Sequence, residues 1–193
     1  MFAAALSLAL SVSSPALPVA SVSSGAAVGV CFSPEEDCIS LAVDARDRAE
    51  SQILVNAYAL TTGSGIVEAL IRAKERGVDV KLIADRTTPC ERGSGIDPLV
   101  RAGVPIWIDR GIRLAHAKAM TIDRKVVLTG SMNWTTSAAR NSEDLNLISS
   151  EAVAAAYTVH WRNRLVASVP FSRREDLCRN PDVAGLKSES PPR

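Results

Sequence analysis

The chain has 193 residues, a formal net charge of +1 and 47% hydrophobic residues, values that are ordinary for one globular domain with tails. The small net charge excludes the global basic field that many nucleic-acid-binding proteins carry, so binding of a polyanion would need a local patch. Aromatic residues make up 4% of the chain, which argues against an extended stacking platform for single-stranded bases.

The first 27 residues differ in composition from the rest. No charged side chain precedes Glu35, and the apolar run over residues 2–10 is followed by small residues and prolines. This pattern is typical of a secretory signal peptide, whose apolar core is too short to span a bilayer. Cleavage near Ala20 or near Ala26 would give a secreted or periplasmic protein. The alternative is an apolar leader that stays attached to a cytosolic protein.

Strand-like and helix-like segments alternate along the rest of the chain. Hydrophobic patterns predict strands over residues 28–32, 53–60, 78–84, 105–108, 115–122, 126–129 and 144–148. Helical periodicity predicts helices over residues 38–50, 66–76, 97–102, 134–139 and 151–166. This alternation indicates an α/β layered sandwich. The predicted domain covers residues 28–167, with a loop over 85–95. The Arg-, Ser- and Pro-rich remainder, residues 168–193, is predicted to be a loose tail.

Four cysteines, Cys31, Cys38, Cys90 and Cys178, are spread over the chain. None of them lies in a C-x-x-C or paired Cys/His spacing, so a zinc site is not favoured. In an oxidising compartment an even number of cysteines favours disulfides, and Cys31 with Cys38 could close a short loop. Four cysteines allow three pairings, which the spacing does not distinguish, and free buried thiols are the alternative.

The densest group of reactive side chains lies on and after the predicted hairpin. His116 and Lys118 are two residues apart, so on an extended strand their side chains leave the same face. Gly130, Ser131 and Asn133 follow the second strand of the hairpin. Each residue alone has a structural explanation. Together, an imidazole, a cation, a hydroxyl and a carboxamide can attack a phosphodiester and neutralise its non-bridging oxygens.

The spacing H-x-K-x4-D-x6-G-S-x-N resembles the signature of the phospholipase D superfamily, and the resemblance extends over residues 28–165. It is most like the small bacterial endonucleases of the Nuc type, which carry one copy of the motif. The resemblance implies a central mixed sheet flanked by helices, no cofactor and no metal. It also implies a homodimer in which two identical motifs face each other across a two-fold axis.

The resemblance further implies a role for each motif residue. His116 would attack phosphorus and form a phosphohistidine, while the same histidine of a second copy protonates the leaving alkoxide. Lys118 and Asn133 would bind the non-bridging oxygens of the substrate, and Ser131 would bond to the same oxygens or to the neighbour of the histidine. Glu143 would accept a hydrogen bond from the ring N–H of His116 and so fix its tautomer.

Three other residues are assigned structural roles. Asp123 is predicted to cap the hairpin turn and to pair with a neighbouring base, and Gly130 belongs to the motif's turn. His160, the second histidine of the chain, is predicted to be a packing residue on the last helix. The leading hypothesis is an exported, metal-independent endonuclease. The alternatives are a phospholipase D that acts on phospholipid head groups and a non-catalytic module that binds nucleic acid.

Overall fold

A computed structural model describes residues 25–178 of the chain. Most of the predicted leader and the last part of the predicted tail lie outside these residues. The strands are β1 (Ala27–Ser33), β2 (Gln52–Ala57), β3 (Asp79–Asp85), β4 (Ile106–Asp109), β5 (Lys118–Ile122), β6 (Val126–Gly130), β7 (Glu143–Ser149) and β8 (Ser168–Pro170). The α-helices are α1 (Cys38–Asp47), α2 (Ile66–Glu75), α3 (Ile96–Arg101), α4 (Glu151–Val166) and α5 (Arg174–Cys178). Short 3₁₀ turns occupy Thr88–Cys90 and Thr136–Arg140.

The eight strands form one sheet in the order β1-β7-β6-β5-β2-β3-β4-β8. Strands β2, β3 and β4 are parallel, because helices connect them, whereas the other neighbours are antiparallel. This mixed sheet with helices on both faces confirms the predicted α/β layered sandwich.

The two faces of the sheet are covered to different extents. Helices α1, α2 and α3 bury their apolar sides on one face and form the main core, in which Ile66, Leu70 and Leu99 are fully buried. A single helix, α4, packs on the other face through Trp161 against Leu54 and Ile83. Because α4 packs mainly on β2 to β6 and on β8, the apolar side chains Val28, Val30 and Phe32 of β1 stay exposed.

Helix and strand boundaries depart from the predicted ones where packing overrides local pattern. The strand predicted over 53–60 ends at Ala57, because the chain beyond it forms hydrogen bonds with the backbone of Trp134 instead. The helix predicted over 134–139 is a 3₁₀ turn. Helix α4 begins at Glu151 as predicted, and Ser150 caps it by accepting a bond from the N–H of Val153.

The prediction of a loose tail from Ser168 is wrong for residues 168–178. Strand β8 pairs with β4 at the edge of the sheet, and α5 follows it. A disulfide joins Cys178 to Cys90, which is 88 residues earlier in the chain, and a second disulfide joins Cys31 to Cys38. The structure thus selects one of the three pairings. Within the described residues, no helix is both long enough and apolar enough to span a bilayer.

Candidate active site

The motif residues meet at one edge of the sheet because of antiparallel pairing. Strand β5 begins at Lys118, β6 ends at Gly130, and β7 begins at Glu143. Because β6 runs antiparallel to both β5 and β7, these three strand ends lie side by side. His116 lies just before β5 and Ser131 just after β6, so both reach the same edge.

The central contact of the site joins His116 and Lys118. The ammonium Nζ of Lys118 lies 2.9 Å from Nδ1 and 3.0 Å from Nε2 of the imidazole, and it donates to the backbone carbonyl of His116 at 2.8 Å. A neutral imidazole has one accepting nitrogen, so only one of the two ring contacts is a hydrogen bond at a time. The ammonium therefore favours a neutral ring with a lone pair available.

Lys118 is a buried cation, with 6% of its surface exposed. Its Nζ lies over the ring of Tyr58, 4.6 Å from the ring centre, a geometry in which the aromatic face attracts the charge. Burial lowers the pKa of Lys118 to about 8, and the nearby carboxylate of Glu143 opposes this shift. The residue is thus a charge held with little solvation, which strengthens its attraction to a bound anion.

The His116 side chain is exposed to solvent, and its ring packs on Tyr58 with 4.2 Å between ring centres. Burial lowers the pKa of His116, the charge of Lys118 lowers it further, and Asp85 opposes both. Asp85 is itself buried and accepts a 2.6 Å hydrogen bond from the N–H of Ala115. It therefore fixes the backbone immediately before the histidine.

Ser131 and Glu143 form a polar pair beside the histidine. The hydroxyl of Ser131 donates to the carboxylate of Glu143 at 2.5 Å and accepts from the N–H of Asp144 at 3.0 Å. The other oxygen of Glu143 accepts from the side chain of Asn141. Among the described residues the predicted hydrogen bond between Glu143 and the His116 ring is not formed, and the carboxylate accepts from Ser131 and Asn141 instead. Glu143 instead acts on the site through the pKa of Lys118.

Gly130 and Asn133 have different parts in the same turn. A Cβ at position 130 would lie 2.2 Å from the carbonyl oxygen of Asp144, so only glycine allows the two strands to approach this closely. Asn133 is followed by Trp134, whose ring N–H donates to the carbonyl of Asn56 and ties the turn to β2. The side-chain oxygen of Asn133 is buried without a hydrogen-bond partner among the described residues.

Asp123 lies at the far end of the hairpin, away from the site. Its carboxylate accepts hydrogen bonds from the N–H groups of Glu50, Ser51 and Gln52 and from the Ser51 hydroxyl. The structure thus places it as a turn-capping residue, as predicted, but its partners are backbone amides and a hydroxyl rather than the base that was expected. Helix α1 and strand β2 are held to the hairpin by these bonds.

An open cleft of about 470 Å³ leads to His116 and Lys118. Thr129 and Ser131 line one side of it, and helix α4 contributes Tyr157 and His160. The prediction that His160 is a packing residue is wrong, because its side chain is exposed and lines this cleft. The hydrophobic pattern of α4 did not separate its packed face from its cleft face.

Sequence reasoning missed Tyr58 and Asp85 as site residues. The predicted strand ran to residue 60 and so placed Tyr58 inside it, whereas β2 ends at Ala57. Tyr58 therefore lies in the segment after a strand, where site residues are common. Asp85 is a carboxylate at the end of an otherwise apolar strand, which is the signal that could have identified it. Among the described residues, no group of three or more His, Cys, Asp or Glu side chains is arranged to hold a metal ion.

The fold and the residues at this edge define a hydrolase of the phosphodiesterase class. A family model described as cardiolipin synthase, PLD-like domain, matches residues 43–165, and the chain belongs to the phospholipase D superfamily. It is 38% identical over 138 residues to a phospholipase D of Rickettsia felis, a match that covers 71% of this chain and 68% of that protein.

Solved structures give the same result. The crystal structure of Nuc from Salmonella typhimurium, a phospholipase D family member, is 32% identical and superposes with a TM-score of 0.68. The match covers 77% of this chain and 99% of that one. NucT from Helicobacter pylori shares the fold, with a TM-score of 0.71 at 20% identity over 76% of this chain and 99% of that one. The resemblance to Nuc-type members is therefore confirmed.

Proposed function

We propose that this protein is a metal-independent endonuclease that hydrolyses nucleic-acid phosphodiester bonds through a phosphohistidine. The observation that carries the proposal is the contact between His116 and Lys118 at the end of an open cleft. A neutral imidazole nitrogen is a competent nucleophile, and a desolvated ammonium beside it attracts the anionic diester. Asn133 would add neutral hydrogen-bond donors from its amide to the same oxygens, and the Ser131 hydroxyl would turn from Glu143 to donate there.

The reaction takes place in two balanced steps. In the first, a ring nitrogen of His116 forms the N–P bond, the bond from phosphorus to the leaving oxygen breaks, and an acid gives its proton to that oxygen. In the second, water loses a proton to the same acid, now a base, and its oxygen displaces the imidazole from phosphorus. Each step needs a second proton-carrying group on the opposite side of phosphorus.

We infer that this second group is His116 of another copy of the chain. The chain has one His-x-Lys motif, and the His116 side chain is exposed to solvent. A two-fold axis would bring two such imidazoles to one phosphate. If inactive His116→Ala subunits are mixed with wild type and exchange freely, activity should fall as the square of the wild-type fraction. A linear fall, or full activity in a demonstrable monomer, would exclude the shared site.

A second candidate substrate is a phospholipid. Similar proteins include one named phospholipase D, and β1 has an exposed row of apolar side chains, Val28, Val30 and Phe32, on one face. Plasmid nicking and phosphatidylcholine hydrolysis, measured on one sample in excess EDTA, decide between the substrates. We expect nicking to persist in EDTA and to disappear in His116→Ala. Binding of DNA without turnover would point to a non-catalytic module, and activity restored only by magnesium would exclude the proposed chemistry.

We also propose that the protein is exported to the periplasm or secreted. The apolar run near the N-terminus and the two disulfides support this location. N-terminal sequencing of the mature protein from a fractionated cell should find a start between residues 20 and 28. Recovery of the uncleaved chain from the cytosol, with reduced cysteines, would contradict it.

A further inference from the structure

All histidines and tyrosines of the chain converge on one place. The sequence contains two histidines and two tyrosines. Tyr58 packs against His116 on the sheet side of the site. Tyr157 and His160 line the same cleft from helix α4. Side chains that combine a flat ring with a hydrogen-bonding group thus border the cleft from both sides, although the aromatic content of the chain is low.

Tyr157 and His160 are neighbours on the helix surface. They are three residues apart on α4, so their side chains lie on the same side of the helix. Within the described residues neither side chain forms a hydrogen bond or an ion pair, so the fold does not use their polar groups. By contrast, Arg164, one turn further along α4, is held by two hydrogen bonds of 2.6 and 2.7 Å to the buried carboxylate of Asp109.

A smaller pocket links the two histidines more closely. Its volume is about 160 Å³, and both His116 and His160 line it together with Ile112 and Ala115. The two imidazoles therefore lie where the cleft and this pocket adjoin. A substrate whose phosphate contacts His116 would extend past His160 on its way along the cleft.

We propose that Tyr157 and His160 form a nucleotide subsite beside the scissile phosphate. The Tyr157 ring packs on the base of the adjoining nucleotide, and His160 donates a hydrogen bond to the neighbouring phosphate. Every base has a flat face, so stacking on tyrosine is tolerant of sequence, and a phosphate contact adds position without reading bases. This inference rests on the proposed nuclease function. A diacyl phospholipid such as phosphatidylcholine offers no base to stack on Tyr157.

The test compares a substrate that can reach the subsite with one that cannot. A single-stranded oligodeoxynucleotide of about 12 nucleotides provides bases and several phosphates that can reach the subsite. Bis(4-nitrophenyl) phosphate provides a single diester and has no neighbouring phosphate or base. The quantity measured is the ratio of kcat/KM for the oligonucleotide to kcat/KM for the small diester. We expect Tyr157→Ala and His160→Ala each to lower this ratio about 10-fold, mainly through the KM of the oligonucleotide, as expected for one lost stacking or phosphate contact.

Matched variants separate the subsite from a structural effect. Val159→Ala changes an exposed neighbour on the same helix and should keep the wild-type ratio. Tyr157→Phe retains the aromatic ring and His160→Lys retains a hydrogen-bond donor. Both variants should therefore keep most of the wild-type ratio of kcat/KM for the oligonucleotide to kcat/KM for the small diester. Circular dichroism and thermal unfolding establish that each variant is folded.

Each contrary result has a distinct meaning. An unchanged ratio in both alanine variants overturns the subsite. A loss of more than about 100-fold on the small diester in folded His160→Ala would make His160 the acid of the reaction, which also overturns the assignment. If the wild type cleaves neither substrate, the proposed function fails instead. In that case, fluorescence anisotropy of the labelled oligonucleotide still tests the subsite, because His160→Ala introduced into His116→Ala should weaken binding about 10-fold.

Discussion

The two ends of the β5–β6 hairpin carry parts of one sequence motif, but the fold stabilises the charged side chain at one end much more than the charged side chain at the other. At the turn, Asp123 and Arg124 adopt positive φ angles of 51° and 57°, and the Asp123 carboxylate is satisfied by four hydrogen bonds. At the other end, Lys118 is buried against an aromatic ring and an imidazole, without a carboxylate bonded to it. One charge is fully compensated by the fold and the other is not.

This difference separates what the motif contributes to stability from what it contributes to chemistry. A carboxylate that accepts four hydrogen bonds from the fold at the far end of the hairpin does not bind the substrate, but it fixes the hairpin against α1 and β2. A buried ammonium that lacks an anion is costly to the folded state and gains most when a phosphate arrives. The motif therefore combines a structural anchor with a site whose strongest partner is the substrate.

The largest expected effect is on Lys118. Replacing it with methionine keeps the length of the side chain but removes the charge, so we expect kcat/KM for a diester to fall by about 10³-fold. Thermal stability should stay equal or rise, because a poorly solvated cation is removed. Lys125→Met, at the turn end of the hairpin, is the matched control and should retain activity within about twofold. A loss of stability in Lys118→Met would mean that the ammonium is compensated in the free protein.

The pH dependence sharpens the same comparison. Cleavage requires one neutral His116 as the nucleophile, a protonated His116 of the second copy as the acid, and a charged Lys118. Because burial lowers the pKa of His116 below 6.5 and lowers that of Lys118 to about 8, kcat/KM should pass through a maximum below pH 6.5 and should show a further fall as pH rises through about 8. Lys118→Arg keeps its charge to much higher pH, so its lower activity should lack the fall near pH 8. If the alkaline limb is the same in both proteins, another group titrates there.

At the turn end, the expected effect is on stability rather than on chemistry. Asp123→Ala removes four hydrogen bonds to a carboxylate and should lower the free energy of unfolding by about 2 kcal/mol, measured by urea denaturation. Activity per folded molecule should be unchanged. The exposed Asp44 provides a control, because Asp44→Ala should change stability by less than about 0.5 kcal/mol.

The stabilisation by Asp123 also has a defined pH dependence. Burial raises the pKa of Asp123, but its hydrogen bonds outweigh burial and leave the pKa below 3.8. The contribution is therefore complete above the ordinary aspartate pKa and disappears as pH falls through the lowered value. Wild type and Asp123→Ala should converge in stability at strongly acidic pH, and a difference that persists there would contradict the assignment.

Local pattern predicted those parts of the molecule in which neighbours in sequence are neighbours in space. Helix α4 and the hairpin follow from periodicity, and His116 with Lys118 follows from a spacing of two on an extended chain. Tyr58, Asp85 and His160 join the site from three other segments, so no spacing within the motif could indicate them. Their placement depends on strand order and on the position of α4 over the sheet.

Edge elements were the hardest to predict. Strand β8 has three residues, too few for alternation to be visible, and its pairing with β4 depends on the return of the chain after α4. The hydrogen-bond partner of Glu143 also differs from the predicted one, because the carboxylate accepts from the hydroxyl of Ser131 and not from the His116 ring. In both cases a tertiary contact, which the local sequence pattern does not indicate, determined the pairing of the strand or of the side chain.

The smallest expected effect is that of replacing Arg46, a residue of α1 that contacts Met120 in the middle of β5. This fully buried guanidinium donates from Nε to the sulfur of Met120 at 2.9 Å and lies over the Trp134 ring at 5.1 Å. A further donor goes to the carbonyl of Ala42, while Nη2 is buried without a partner among the described residues. Burial of the guanidinium leaves the charged form poorly solvated and so lowers the pKa of Arg46 to about 9.

Methionine is an unbranched, flexible apolar side chain that can fill irregular gaps in a core and needs no hydrogen bonds. We therefore expect Arg46→Met to raise the free energy of unfolding by about 1 kcal/mol, since apolar groups often replace buried charges without loss. Urea denaturation at pH 7 measures the change, and activity should remain within about twofold because the residue does not reach the cleft. A decrease of more than about 2 kcal/mol would mean that the contact with Trp134 and the bonds to Met120 and Ala42 outweigh desolvation. In that case Arg46 would resemble Asp123, a compensated charge, rather than Lys118.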